Sequence, residues 1–381
     1  MKMEIIFILI AVLFLAYSNG SNDNFKGVAT LYGSGTSSYR KALIWATVTT
    51  FSGSLTSIFL ASTLIKIFSG KGLVPVDIAS SHSFILSVGL GASLCIFLAS
   101  ILGWPVSTTH ALTGALVGGG ISSYVLQGSE LKLAALGGNF IIPLLISPLI
   151  SIILVAMLYP IFRYIRIKMG ITKEMDICVG EKVVRTVPLP VGPGKDYLSS
   201  ATLSPDYQGD KALTIDLAPR ETLMERYDGR FLGINSEKLL DAFHFLSGGL
   251  VSFARGLNDT PKILALLLTA SAFQIEYGLV SVGIAMAIGG IINGRRVANR
   301  MSHDITSMNH GQGFTANLVT GIVVIFASRI GVPVSTTHVS CGSLFALGIV
   351  NRSAKVKTIL RILVAWVTTL PLAALLAAVI Y

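Results

Sequence analysis

Two short patterns hold the residue types that could do chemistry, and each occurs twice. GWPVSTTH (103–110) returns as GVPVSTTH (331–338), differing only at Trp104 against Val332. In both copies a Gly-x-Pro break precedes Ser-Thr-Thr, and an apolar, glycine-rich run follows. This is how a helix start is written: Pro cannot continue a preceding helix, and a Ser or Thr oxygen caps the free N–H groups of the next one. Each copy therefore reads as a broken hairpin ending in a helix N-terminus. Such an end carries partial positive charge and unpaired donors, which suit an anion. The hydroxyls of Ser107, Thr108, Thr109, Ser335, Thr336 and Thr337 would add neutral donors. Capping alone also explains Ser-Thr-Thr, but capping does not require the same side chains in both copies.

The second pattern is G-x-N-D-x-x-K. Gly20, Asn22, Asp23 and Lys26 align with Gly256, Asn258, Asp259 and Lys262 at an offset of 236 residues. An aspartate within a span costs about 2.5 to 3.5 kcal/mol on insertion scales, so it marks a functional site by default. Asn22, Asp23, Asn258 and Asp259, with carbonyls freed at a helix break, could form an oxygen cage for a hard cation. Sodium fits this chemistry, and so does a proton carried on the carboxyl group. Simple ion pairing of Asp23 with Lys26 and of Asp259 with Lys262 is the competing reading. The two lysines are expected to snorkel or pair rather than touch a ligand. Arg255, which aligns with Asn19, reads equally well as a structural cation. His110 and His338 are expected to be neutral and hydrogen-bonded inside the bundle.

The elements that must position these residues lie in a bilayer. Of the 381 residues 52% are hydrophobic and 13% charged, about half the charge of a soluble domain. Apolar runs at 41–68, 84–102, 131–161, 280–293 and 359–381 reach or approach the ~20 residues that cross a bilayer. The fold expected is an all-α polytopic membrane protein. The net charge of +10 sits mostly in loops beside the spans, where Lys and Arg mark the cytoplasmic face, so nucleic acid is not a partner. Cys95, Cys178 and Cys341 have no paired spacing and indicate neither a disulfide frame nor a metal centre. No nucleotide-binding motif is present, and no nucleophile with a base indicates an enzyme. The N-terminal apolar run looks like a signal peptide, but it matches the internal run before Asp259 and is read as a retained span.

Both patterns recur in the same order, the second pair at an offset of 228 residues, so a whole half is duplicated. Residues 1–162 form a first transmembrane repeat, 163–238 a hydrophilic linker and 239–381 a second repeat. The linker holds 12 basic and 11 acidic residues, a balance that gives no partner signal. If both patterns are hairpins returning to their own side, each half crosses three times and the second is inverted. Arg163, Arg166, Lys168 and Lys238, with Lys66, Lys71, Arg352, Lys355, Lys357 and Arg361, then fall on the cytoplasmic side, and both termini lie outside. Arg40, Lys41, Arg295, Arg296 and Arg300 would lie outside, against that bias.

At these residues the chain resembles the inorganic phosphate transporter (PiT) family of sodium- or proton-coupled phosphate symporters. The doubled PVSTTH carries the resemblance, and the N-D pattern appears twice in the same order around a hydrophilic loop. Where the family often reads GANDVANA, residues 20–27 read GSNDNFKG, which keeps Asn22 and Asp23. The resemblance implies an inverted repeat with outside termini, inorganic phosphate as substrate and a coupling cation, with no cofactor. The expected assignment is phosphate on the six Ser-Thr-Thr hydroxyls and sodium on Asn22, Asp23, Asn258 and Asp259, with no fixed Arg or Lys beside the anion. The host is expected to be a plasma (inner) membrane, with a homodimer as one candidate assembly. Alternatives are a proton-coupled phosphate or sulfate carrier, or a channel or receptor that senses phosphate.

Overall fold

The computed structural model describes residues 2–132, 134–168, 172–175, 179–183, 211–215, 225–228, 230–231, 234–270 and 274–381. Helix α1 (Lys2–Asp23) leads through a short 3-10 turn to α2 (Ala29–Gly33), followed by α3 (Tyr39–Leu60), α4 (Ser62–Phe68) and α5 (Val76–Ala79). Helices α6 (His82–Ile101) and α7 (Thr108–Gln127) form the first hairpin, before α8 (Ala134–Leu136) and α9 (Ile142–Lys168). After the linker come α10 (Ser236–Thr269), α11 (Ile275–Asn293) and α12 (Arg295–Asn299). The second hairpin is α13 (His310–Arg329) and α14 (Thr336–Val350), and α15 (Val356–Ile380) closes the chain.

Among the described residues seven helical segments are long and apolar enough to cross a bilayer, from Met3–Gly33 to Val356–Ile380. Their outer faces expose large apolar side chains such as Phe7, Ile44, Ile153, Val367 and Val379, as lipid contact requires. The chain is a helical, multi-span membrane protein. Among the described residues the strands are confined to the linker, where Thr172–Met175 pairs with Glu225–Asp228, Val179–Val183 with Lys211–Ile215, and Arg230–Phe231 with Ile234–Asn235, all antiparallel. Cys178 and the linker prolines lie outside the described residues.

Two expectations about helix breaks are corrected. The first N-D pattern is not a hairpin: α1 runs unbroken to Asp23, and the chain bends only at Asn24 and Phe25. The second has no break at all, because α10 carries Arg255, Asn258, Asp259 and Pro261 through a single 34-residue helix, about 51 Å long. Pro261 is buried within it and merely removes one backbone donor. The crossing count that assumed hairpins here therefore loses its premise, and inversion of the second half rests on the resemblance. The expected span at 41–68 also divides, at Ala61, where φ is −136°.

The two halves interlock. Helix α1 packs on α6 and on α11 of the other half, α10 on α13 and on α3, α7 on α15, and α9 on α14. Two contacts are backbone-close. A Cβ on Gly20 would strike the Met286 carbonyl, and one on Gly289 the Tyr17 carbonyl, which joins α1 to α11. A Cβ on Gly256 would strike the Thr50 carbonyl, and one on Gly53 the Phe253 carbonyl, which joins α10 to α3. The glycine of G-x-N-D is thus the point where each N-D helix meets its neighbour's backbone.

Candidate functional site

Both hairpins turn in the same way. Gly103 and Gly331 have φ of +70° and +76°, a left-handed conformation that favours glycine. The next N–H closes the turn in each, Trp104 onto the Ala99 carbonyl and Val332 onto the Ala327 carbonyl, both at 2.8 Å. Pro and Val then run extended to the cap, where Ser107 accepts from the His110 N–H at 3.1 Å and Ser335 from the His338 N–H at 3.2 Å. The tips meet face to face. Thr109 Oγ1 donates to the Val334 carbonyl at 3.1 Å, and Thr337 Oγ1 donates to the Val106 carbonyl at 2.8 Å. The His110 and His338 rings follow with centroids 4.4 Å apart. His338 Nδ1 lies 3.4 Å from the Leu144 carbonyl. His110 Nδ1 and His338 Nε2 are buried with no hydrogen-bond partner among the described residues, so the expected hydrogen bonding holds for one ring only.

Each N-D helix lies against one tip. Asn22 Nδ2 donates to Ser100 Oγ at 3.1 Å and to the Trp104 carbonyl at 2.9 Å, and its Oδ1 accepts from the Val106 N–H at 3.1 Å. Asn258 Nδ2 donates to the Val334 carbonyl and to Thr336 Oγ1, both at 3.2 Å, and its Oδ1 accepts from Ser328 at 3.2 Å. Asp23 Oδ2 accepts from Thr108 Oγ1 at 3.1 Å. All ten residues expected to hold phosphate or sodium thus fall in one connected cluster, and none is more than 2% exposed.

The lysines pair with the aspartates of their own patterns, one of the two expected outcomes. Neither snorkels: Lys26 is 1% exposed and Lys262 0%. Lys26 Nζ pairs with Asp23 Oδ1, and donates to Asn22 Oδ1 at 2.8 Å, to the Val106 carbonyl at 2.8 Å and to Thr337 Oγ1 at 2.7 Å. Lys262 Nζ lies 3.5 Å from Asp259 Oδ1 and donates to Thr109 Oγ1 at 2.7 Å and to the Val334 carbonyl at 2.8 Å. Each lysine therefore binds its own half's tip carbonyl and the other half's threonine. Three of the oxygens expected to cage a metal cation, Asn22 Oδ1, Asp23 Oδ1 and Asp259 Oδ1, face ammonium groups.

Sequence reasoning left Asn19 without a role and Arg255 undecided. Asn19 Nδ2 lies 3.4 Å from Asp23 Oδ2, 3.1 Å from Asp259 Oδ2 and 2.8 Å from Thr108 Oγ1, so it bridges both carboxylates. Arg255 is fully buried, with Nε 3.8 Å from Asp259 Oδ2, and its Nη1 donates to Asn24 Oδ1 at 3.2 Å and to Thr50 Oγ1 at 3.3 Å. Lys26 and Lys262 thus stand against Thr337 and Thr109, two of the hydroxyls expected to hold phosphate, where no fixed cation was expected. Three buried cations and two buried carboxylates, all held by ion pairs and hydrogen bonds, give the cluster a formal charge of +1. Charges this deep persist only when paired and hydrogen-bonded, and the excess makes the centre attractive to an anion. Ser100 and Ser328, which support the two asparagines, are 228 residues apart, so the tip offset carried forward would have found them.

A lipid-spanning bundle in which two duplicated helix starts converge on a buried polar centre suits a transporter. The chain belongs to the phosphate transporter family, whose sequence profile matches residues 19–377. That family is one of transporters, so the chain is not an enzyme. It is 28% identical to a probable low-affinity inorganic phosphate transporter of Rhizobium meliloti, over 98% of this chain and 94% of that one. It is 26% identical to the chloroplastic inorganic phosphate transporter 2-1 of Arabidopsis thaliana, over 96% of this chain and 70% of that protein. A putative phosphate permease of Pyrococcus abyssi is 25% identical over 98% and 96%. The fold matches a solved structure described as the sodium-dependent phosphate transporter, with a TM-score of 0.73 at 19% identity, covering all of this chain and 98% of that one.

Proposed function

We propose that this chain imports inorganic phosphate by secondary active transport, with the anion held between the two tips. The observation that carries this reading is the crossed pair of bonds, Thr109 to the Val334 carbonyl and Thr337 to the Val106 carbonyl. An anion entering there replaces the two carbonyls as acceptor. The threonine hydroxyls then rotate to donate to it, beside Ser107, Thr108, Ser335 and Thr336. The first-turn N–H groups of α7 and α14 add their partial charge, and the excess positive charge of the cluster adds its own. All six hydroxyl side chains are at most 2% exposed, so release requires the tips to part on one side at a time.

Residues 1–162 and 239–381 would be inverted repeats that rock around this point, with the linker cytoplasmic, the termini outside and a plasma membrane as host. Sodium symport is the coupling carried over from the relative of known structure, with Asn22, Asp23, Asn258 and Asp259 as ligands. A specific observation favours a second reading without sodium, namely the lysine ammonium on each aspartate. Uptake into liposomes under a sodium gradient, a proton gradient or neither, with sulfate as competitor, tests the function. Accumulation of phosphate above the outside concentration supports a carrier. Mere equilibration would indicate a channel, and binding without passage a receptor.

A further inference from the structure

The two lysines have the coordination that a bound alkali cation would have. Around Lys26 Nζ stand a carboxylate, an amide oxygen, a backbone carbonyl and a hydroxyl; around Lys262 Nζ stand a carboxylate, a carbonyl and a hydroxyl. These are the hard oxygen ligands that suit a small, non-polarisable cation. An ammonium group presents three donors to these oxygens, one for each ligand of Lys262 and shared among the four around Lys26, and carries the same single charge. The two positions are equivalent in the two halves, and each reaches across to the other half's tip.

Charge balance gives the same answer independently. With Lys26 and Lys262 the buried cluster stands at a formal +1. Neutral residues at both positions would leave Arg255 against two carboxylates, a net −1, and two monovalent cations would be needed to regain the present value. A cluster that kept its lysines and also took two sodium ions would reach +3 before the anion binds, at the high cost of unpaired charge in a dry interior.

We propose that the Lys26 and Lys262 side chains are tethered replacements for coupling cations, so that this chain takes up its anion without sodium. The proposal rests on the phosphate reading above. An ammonium held on its own helix cannot leave with the substrate, so a sodium gradient has nothing to act on.

The test uses the full chain, purified, in two measurements. In proteoliposomes, labelled phosphate uptake by the wild type is expected to change less than twofold when sodium is replaced by choline. The Lys26→Asn/Lys262→Asn double variant is expected to gain at least tenfold stimulation by sodium. Separately, equilibrium binding of labelled sodium is expected to show no saturable site in the wild type and a saturable one in the double variant. Wild-type uptake that falls tenfold in choline, or saturable sodium binding to the wild type, overturns the proposal. Absence of phosphate uptake under every gradient counts against the transport reading instead, and the wild-type sodium-binding result then decides this inference alone, as it does if the variant fails to fold.

Discussion

Arg255 and Asn19 occupy equivalent positions in the two halves, and they bond to each other: Arg255 Nη2 donates to Asn19 Oδ1 at 2.5 Å across 236 residues. A duplicated chain has placed two different residues where its halves meet, and together they do what two copies of one could not. Two arginines would repel, and two asparagines would remove the one cation beyond the two lysine–aspartate pairs. The planar guanidinium reaches Asn19, Asn24 and Thr50 at once, a geometry that a lysine does not reproduce. Arg255→Lys is expected to leave buried acceptors unpaired, at about 1–3 kcal/mol. Phosphate uptake kinetics should show this as roughly a tenfold or greater loss in kcat/KM.

Removing one carboxylate strands the ammonium it balances. Asp23→Asn or Asp259→Asn is expected to abolish gradient-driven uptake and to cost about 3–5 kcal/mol of stability. The unfolding midpoint in detergent checks the second effect. Adding Lys262→Met to Asp259→Asn should restore much of the midpoint, because the uncompensated charge is then gone.

Within each tip the serine and the threonines separate by readout. Ser107→Ala and Ser335→Ala remove a helix cap, worth about 1 kcal/mol, and should lower the unfolding midpoint. Thr109→Val keeps the shape and no cap is lost, so its expected effect is on phosphate affinity. Because Thr109 also accepts from Lys262, Thr109→Ser should retain activity where Thr109→Val does not.

Helical glycines usually gain about 0.5–1 kcal/mol on replacement by alanine. At Gly20 and Gly256 the sign should reverse, because a Cβ would collide with the carbonyls of Met286 and Thr50. Gly20→Ala and Gly256→Ala are expected to cost about 1–3 kcal/mol, the usual range for an overpacked core. A midpoint that rises in either variant would contradict the backbone-close packing of α1 on α11 and of α10 on α3.

The hairpin tips were legible because their function is written locally: a left-handed glycine, a proline and a capping serine must be consecutive to make that turn. The convergence of Asn22, Asp23, Asn258 and Asp259 was legible through duplication, since two copies of an unusual polar pattern in apolar surroundings imply one meeting place. The unbroken course of α10 was not legible. Asn258, Asp259 and Pro261 disfavour a helix by propensity, and the tip, α3 and α13 packed around them hold it. The burial of Lys26 and Lys262 was hidden for a similar reason. A lysine's long stem suits snorkelling equally well, and what decides is a ring of oxygens from residues as distant as Thr337 and Thr109. Arg255 and Asn19 break the repeat, so the duplication that points to the other site residues says nothing of a shared role for these two.

Carriage of the anion requires the two Ser-Thr-Thr tips to form one shared site. Calorimetric titration of the purified chain with inorganic phosphate tests this most directly, using the wild type beside Thr109→Val and Thr337→Val. The prediction is one phosphate per chain, with affinity weakened about tenfold or more by either variant, since each removes a donor to the same anion. Two phosphates per chain, or an affinity that depends on one threonine and ignores the other, would contradict it.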